Sequence, residues 1–436
     1  MVKNRMIAGI DIGTSKICTI IGKISEEEEK INIIGTASTP SRGVRKGQIV
    51  NIEEAVTSIT ESVEASERMA GYSLSSAFVS VGGAHLFSQN SHGVVAVSEP
   101  EGEITEDDVS RVVEAARAVS LPASREILHV IPREFIVDSQ EGIKDPIGMT
   151  GVRLEVETHI ITGSSTAMRN LAKCVGEVGI DIEALVASPV ASAETILTET
   201  EKELGVILID IGGGTTGIAA FVDGALAHTA VLPVGGRNVT NDLAIGLRLS
   251  LDAAEKIKIA LSTQKEMRPQ EKTEINPKEK NFKKTDDEIN LDRLGIVDDK
   301  KSVSRKTLIE GIIKPRLNEI FTMVGLELKK NSLIGLTPAG VVVCGGAAET
   351  IGLSEACKRT LSMPVRIGFP QKIIGLIDDI KSPAYATTIG LLIYGRQAAG
   401  ETREIRGFKK IGQLANKIPV KGLATKVSNL LKSFLP

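Results

Sequence analysis

The chain contains no tryptophan, and aromatic residues make up only 3 % of its 436 positions. A protein that reads bases or sugars through stacked aromatic platforms needs more than that. Four cysteines are present, Cys18, Cys174, Cys344 and Cys357, widely spaced and without a C-x-x-C pair. Three lie in or beside apolar runs, so they read as buried, reduced thiols of a cytoplasmic protein. The five histidines, His85, His92, His129, His159 and His228, fall into no H-x-x-x-H or mixed Cys/His spacing, which argues against a zinc site. No apolar run reaches the ~18 residues of a membrane span. Gly9 and Asp11 interrupt any signal-peptide core, and a cytoplasmic location is expected. A net charge of −3 gives no general affinity for polyanions, and no nucleic-acid partner is expected.

What is present is a globular composition, 42 % apolar and 25 % charged. At roughly 150 residues per domain, the length allows about three domains or two large ones. Charge is unevenly placed. Residues 405–436 hold seven Lys/Arg and no Asp/Glu, so the net −3 of the whole leaves −10 on the rest.

The chain carries an internal repeat. Met6–Ile12, Ile17–Ile24 and Ile31–Ala37 read as a three-strand meander with a Gly-Thr-Ser turn after the first strand. Val206–Ile211, Gly217–Val222 and Ala225–Leu232 repeat it, with an Asp223-Gly224 hairpin signal. Later in each unit, His159–Thr162 and Gly340–Cys344 read as corresponding strands. Each is followed by a small-residue turn, a helix and another strand, Ile180–Val186 or Val365–Phe369. Both units close on a Ser-Pro helix start, at Ser188-Pro189 and Ser382-Pro383. Two pseudo-symmetric α/β lobes with a ligand cleft between them are the expectation.

Two segments interrupt the repeat. Residues 82–157 contain strands Gly93–Val97, Ile127–Ile136 and Val152–Ile161, and a helix capped by Thr105 with Asp108 in a box-like position. That suffices for a small α+β domain. Residues 233–330 read as mainly helical. Within them, Lys265–Asp292 holds seven basic and eight acidic residues and reads as a solvated loop. The full division is 1–81 with 158–204 for the core of lobe one, 82–157 for the insert, and 205–232 with 331–395 for the core of lobe two. The helical part is 233–330 with loop 265–292, followed by a basic linker, 396–421, and an amphipathic end, 422–436.

Gly212-Gly213-Gly214-Thr215-Thr216-Gly217 matches G-x-G-x-x-G literally, but strand pattern follows where a dinucleotide-binding fold needs a helix. There is no P-loop either. What remains is a Gly/Thr turn at a hairpin tip, present twice, each after an Asp: Asp11 and Asp210. Backbone N–H groups in such turns converge on an anion. The preceding acids repel phosphate but suit a hydrated Mg²⁺.

Asp11 to Lys16, Asp210 to Thr216 and Val342 to Ala348, with both Ser-Pro helices, resemble the actin-like ATPase superfamily. The placing of the insert is similar to that of the FtsA family of bacterial cell-division proteins. So are Gly43-Val44-Arg45-Lys46-Gly47, Ala254-Glu255-Lys256-Ile257-Lys258, Ile313-Lys314-Pro315-Arg316 and the basic, amphipathic tail. The resemblance implies an α/β, actin-like fold of duplicated ribonuclease H-like lobes, with an inserted small α+β domain and a C-terminal amphipathic helix. It implies ATP and Mg²⁺ as cofactors. Phosphate contacts carry over to Gly13, Thr14, Ser15 and Lys16, and to Gly212, Gly213, Gly214, Thr215 and Thr216. Asp11 and Asp210 become the Mg²⁺-side acids and the catalytic candidates. Gly345, Gly346 and Ala347 lie against the adenosine, and Glu255 and Lys258 close over it. Without the resemblance, Lys16 reads as a solvent-exposed strand residue, and Glu255 and Lys258 as a surface i,i+3 ion pair. The position of a water-orienting acid or amide is Ser188, a poor base, so slow hydrolysis at most is expected.

In the tail, Leu423, Val427, Leu430, Leu431, Phe434 and Leu435 share one helical face, with Lys426 and Lys432 on the other. A membrane surface suits both faces; docking onto the chain's own domain is the alternative. The family resemblance implies a filament-forming protein on the cytoplasmic face of the cell membrane at the division site. There it tethers the FtsZ ring, holding the FtsZ C-terminal peptide on the helical part of lobe two and other division proteins on the insert. The alternatives are an actin-like pilus-assembly adaptor, against which the amphipathic tail speaks, and a sugar kinase of the same superfold. The kinase needs a small-molecule pocket with a catalytic carboxylate in the cleft, and no persuasive candidate beyond the two Mg²⁺-side acids is found in the sequence.

Overall fold

A computed structural model describes residues 5–25, 30–98, 102–263, 287–296, 302–376 and 380–401. The two meanders form as expected. In the first, Arg5–Ile12, Lys16–Ile24 and Ile31–Pro40 pair antiparallel. In the second, Val206–Ile211, Thr216–Val222 and Ala225–Leu232 do the same. Residues Val206–Ile211 are all buried, which is why the strand is apolar on both faces rather than alternating, with Asp210 its one polar residue. Register is duplicated to the residue. Asp11 opposes Cys18 and Asp210 opposes Gly217. Both turns close the same way, Gly13 N–H to the Lys16 carbonyl at 3.0 Å and Gly212 N–H to the Thr215 carbonyl at 2.9 Å.

Each sheet then extends by two parallel strands. In lobe two these are Val341–Cys344 and Val365–Ile367. In lobe one they are Ser76–Val81 and Asp181–Ala187. This corrects the repeat alignment. Residues 159–162 lie within the strand Arg153–Ser164, which pairs with Phe87–Ala96 and Arg125–Val137 in a separate four-stranded sheet. The counterpart of Val341–Cys344 is Ser76–Val81, after which the chain departs into the insert and returns. The insert's helix, Glu106–Arg117, packs on that sheet through Val112, Val113 and Ala116, and Thr105 with Asp108 forms the capping box.

Helix Ile52–Ala70 starts at Asn51, whose side chain accepts from Glu54 N–H, and ends at Gly71 with φ 63°. Its buried residues, Ala55, Ser58, Ile59, Ser62, Val63 and Ser66, keep helical spacing and cover the lobe-one sheet. At Ser382 the expected cap is present, its hydroxyl accepting from Ala384 N–H. At Ser188 it is not: Ala187 is the capping position and no side chain bonds there.

A second difference concerns the end of the chain. Ile373–Gly375 leaves lobe two and adds a strand to lobe one beside Ile31–Pro40. Helix Ala386–Glu401 follows it across and buries Ile389, Leu391, Leu392 and Ile393 against Ile7, Cys18 and Ile20. An apolar segment with no polar face must be enclosed, and here lobe one encloses it. A Cβ on Gly390 would overlap the Ala191 carbonyl, so the two Ser-Pro helices cross in backbone contact there. The expected linker start at 396 falls inside this helix. The end of the expected charged loop is also ordered: Glu288–Asn290 pairs with Ser302–Ser304, burying Ile289 and Leu291. The tail residues Leu423, Lys426, Val427, Leu430, Leu431, Lys432, Phe434 and Leu435 lie outside the described residues. All four cysteines are free and buried.

Candidate functional site

The two hairpin tips meet. A cavity of about 300 Å³ opens between the lobes. It is lined by Asp11, Gly13, Thr14, Ser15 and Lys16 from lobe one and by Asp210, Gly212, Gly213 and Thr215 from lobe two. Glu255, Lys258, Gly345, Gly346 and Ala347 also line it. Fourteen of the sixteen cleft residues expected from the sequence thus converge on one space. Gly214 and Thr216 do not line it. Thr216 is fully buried in its strand, and its hydroxyl donates to the Val234 carbonyl at 2.8 Å. Gly214 lies behind the turn, where an added Cβ would sit 2.8 Å from Thr14 Oγ1.

The tips differ in side chains for a packing reason. A Cβ on Gly213 would overlap Ser15 Oγ, so lobe two presents bare backbone where lobe one presents Thr14 and Ser15. Gly345 has φ +90°, and a Cβ there would collide with Asp210 Oδ1 and the Ile211 carbonyl. Its N–H donates to the Pro383 carbonyl, and Ala347 N–H donates to the Ile211 carbonyl, both at 3.0 Å. These bonds dock the turn after Val341–Cys344 onto the cleft.

Each acid is gripped by hydroxyls. Ser80 donates to Asp11 Oδ1 at 2.6 Å. Ser192 and Thr387, one from each crossing helix, donate to Asp210 Oδ2 at 2.6 and 3.1 Å. Burial pushes both carboxyls above the usual range; the hydroxyl bonds and Lys16 work against it. The charge of Asp210 raises Asp11 further. Among the described residues, the remaining oxygen of each acid receives no hydrogen bond. Two mutually repelling carboxylates, Asp210 buried and Asp11 half-buried, each with one oxygen to spare, are a donor set that a cation relieves. Among the described residues, no three His, Cys, Asp or Glu side chains gather to form a protein-only metal cage. Mg²⁺ does not need one, since it keeps several waters and takes one or two carboxylates plus phosphate oxygens.

Glu255 and Lys258 are not an exposed surface pair. Lys258 is 9 % exposed. Its Nζ reaches Glu255 Oε2 at 2.7 Å and Thr240 Oγ1 at 3.0 Å, tying helix Leu251–Thr263 to helix Gly236–Leu247. Lys16 Nζ lies 3.7 Å from the centroid of the Tyr385 ring.

Several contributors escaped the sequence reading. Ser80 is a polar residue in the buried strand Ser76–Val81, and Ser192 and Thr387 sit inside apolar helices; polarity in those places was the available signal. Gly236 and Arg237 line the cleft from the start of a helix introduced by Gly235-Gly236.

The cell-division protein FtsA of Pseudomonas aeruginosa is 39 % identical over 407 residues, which cover 92 % of this chain and 93 % of that one. This chain belongs to the FtsA family. A family model described as "Cell division protein FtsA" matches residues 207–390. Another, the "SHS2 domain inserted in FTSA", matches 83–162, which contains most of the separate four-stranded sheet. The protein is therefore an actin-like cell-division protein. Solved structures share the fold at low identity. The type IV pilus biogenesis complex PilM–PilN superposes with TM-score 0.60 at 15 % identity, over 89 % of this chain and 98 % of that one. MreB5 of Spiroplasma citri bound to ADP does so with TM-score 0.51 at 13 %, over 92 % and 98 %. Neither likeness says more than fold, so the pilus superposition does not favour a pilus role over FtsA membership.

Proposed function

We propose that the cleft binds ATP with Mg²⁺ and that the bound chain polymerises and tethers the FtsZ ring to the inner face of the cell membrane. The observation that carries the reading is the meeting of two Asp-x-Gly turns in one cavity, with glycine backbone at 212 and 213 facing the hydroxyls of Thr14 and Ser15. The turn residues 13–16 and 212, 213 and 215 would hold the phosphates. Asp11 and Asp210 would hold Mg²⁺, which when bound supplies charge neutralisation across the phosphate chain. Glu255 and Lys258, with Gly345, Gly346 and Ala347, would enclose the nucleoside. MreB5, of the same fold, is described with ADP bound. Ser188 lines the cleft where a water-orienting group is needed. A hydroxyl is a weak base, so nucleotide is turned over slowly and mainly sets lobe closure and polymer state.

Residues 233–330 are proposed to hold the FtsZ C-terminal peptide, and the 82–157 insert to contact neighbouring subunits and other division proteins. The tail from 422 is proposed as the membrane anchor, with Lys426 and Lys432 each adding roughly 1 kcal/mol on anionic lipid. Among the described residues, no helix is long and apolar enough to cross a membrane. One short helix binds reversibly, and a polymer multiplies its hold. Lipid co-sedimentation tests this. Leu431→Glu with Phe434→Glu is expected to abolish binding to anionic vesicles and leave ATP binding intact. Retained vesicle binding would show that the tail is not the anchor. Loss of ATP binding as well would show that it docks on its own domain.

A further inference from the structure

Among the described residues, three basic side chains line the cleft, Lys16, Lys258 and Arg237. Lys258 is paired with Glu255, and Lys16 is stacked on Tyr385. Arg237 is different. Among the described residues it makes no ion pair. Its guanidinium Nη1 donates a long bond, 3.4 Å, to the Thr14 carbonyl. Thr14 belongs to the lobe-one turn, whereas Arg237 opens helix Gly236–Leu247 of lobe two. The backbone N–H of Arg237 donates to the Gly213 carbonyl at 2.8 Å. One residue therefore holds both tips, lobe two by its main chain and lobe one by its side chain, and the side chain is exposed to the cleft mouth.

A long bond from a guanidinium to a neutral carbonyl uses little of what that group offers. A guanidinium meeting phosphate oxygens forms charge-assisted bonds, frequently two in parallel, about twice as strong as neutral ones. The positive end of the helix that Arg237 opens acts in the same direction. A nucleotide seated between the tips adds negative charge to the cleft that Arg237 lines with each added phosphate. On the nucleotide reading above, the geometry points to Arg237 as the residue that reads the terminal phosphate. It is a specificity residue that distinguishes a nucleoside triphosphate from a diphosphate. Because it already bridges the tips, the same contact draws lobe two onto lobe one when the third phosphate is present. With a diphosphate, only the weak bond to Thr14 remains.

The test is competitive titration on the full chain with Mg²⁺, displacing a fluorescent ATP analogue with unlabelled ATP and with ADP. Arg237→Ala is expected to weaken ATP about tenfold or more, and ADP less than about twofold. Arg237→Lys keeps the charge but not the fork, so it should restore part of the ATP preference. The side chain is exposed, and thermal unfolding of both variants confirms a retained fold. Equal weakening of ATP and ADP, or an unchanged preference in a folded Arg237→Ala, overturns this role while leaving the nucleotide site standing. Failure of the wild-type chain to bind either nucleotide overturns both.

Discussion

The two hairpin tips share register, turn closure and a leading acid, yet one is Gly-Thr-Ser-Lys and the other Gly-Gly-Gly-Thr. The difference is complementary. Side chains of Thr14 and Ser15 in the first occupy the space that Gly213 and Gly214 leave in the second. Their acids differ in the same sense. Asp11 is held by one hydroxyl from a neighbouring strand of its own lobe, Asp210 by two hydroxyls from the helices that cross between lobes. A duplicated backbone has thus become one asymmetric site, in which the lobe-two acid is held by the crossing helices and the lobe-one acid is not.

Neutralising the acids probes this most strongly. Asp210→Asn keeps an acceptor for Ser192 and Thr387 but removes the charge, and Mg²⁺-dependent ATP affinity should fall by about tenfold or more. Stability without nucleotide should move the other way. A carboxyl whose folded pKa is raised costs the native state stability once pH exceeds that value, so at neutral pH the Asn variant melts no lower than wild type. Asp11→Asn should weaken ATP as well, and the double variant by less than the product of the two, because both acids serve one cation. Titration with and without Mg²⁺, alongside thermal melting, checks each point.

The insert offers a second contrast, since it is tied to both lobes through buried histidines. His129 Nε2 accepts from Ala187 N–H of lobe one at 3.0 Å. His159 bonds Asn90 within the insert and Thr229 of lobe two. Burial lowers their pKa values from 6.5 to about 4 and about 3. Below pH 6.5 the unfolded chain takes up protons that the native state refuses. Stability from these two seats is therefore complete above about 6.5 and lost as pH falls toward 4. Melting curves between pH 7 and pH 5 should show the fall, and His129→Gln should flatten it. An unchanged slope in that variant would remove His129 from the explanation.

The smallest effect concerns Ser188. Ser188→Glu places a carboxylate in the cleft where the wild type has a hydroxyl. It should raise single-turnover ATP hydrolysis a few-fold, given that general-base help contributes at most about 10²–10⁴ when ideally placed. No rise under saturating nucleotide means that the base is not what limits turnover.

The tips were readable in the sequence because turn chemistry is local: an Asp, a glycine and a strand on either side dictate the hairpin. The strands around them were readable because they are largely buried and mostly apolar. What was not readable depended on long-range pairing. The strand Ser76–Val81 is an ordinary apolar stretch, and nothing local says that it, rather than residues 159–162, lies beside Arg5–Ile12. The return of Ile373–Gly375 and helix Ala386–Glu401 to lobe one is likewise a tertiary choice, in which apolar surface of the helix is buried on the lobe-one sheet. Ser80, Ser192 and Thr387 became visible only once Asp11 and Asp210 had positions.

The central claim is that the tips form a single site by packing side chain against bare backbone. A double-mutant cycle on Ser15 and Gly213, read by fluorescent-ATP titration, tests it most directly. Gly213→Ala adds a Cβ that overlaps Ser15 Oγ and should weaken ATP by roughly tenfold, in line with an overpacking cost of about 1–3 kcal/mol. Ser15→Gly removes the obstacle, so the double variant should bind more tightly than Gly213→Ala alone. Wild-type affinity in Gly213→Ala, or no recovery in the double variant, would contradict the account.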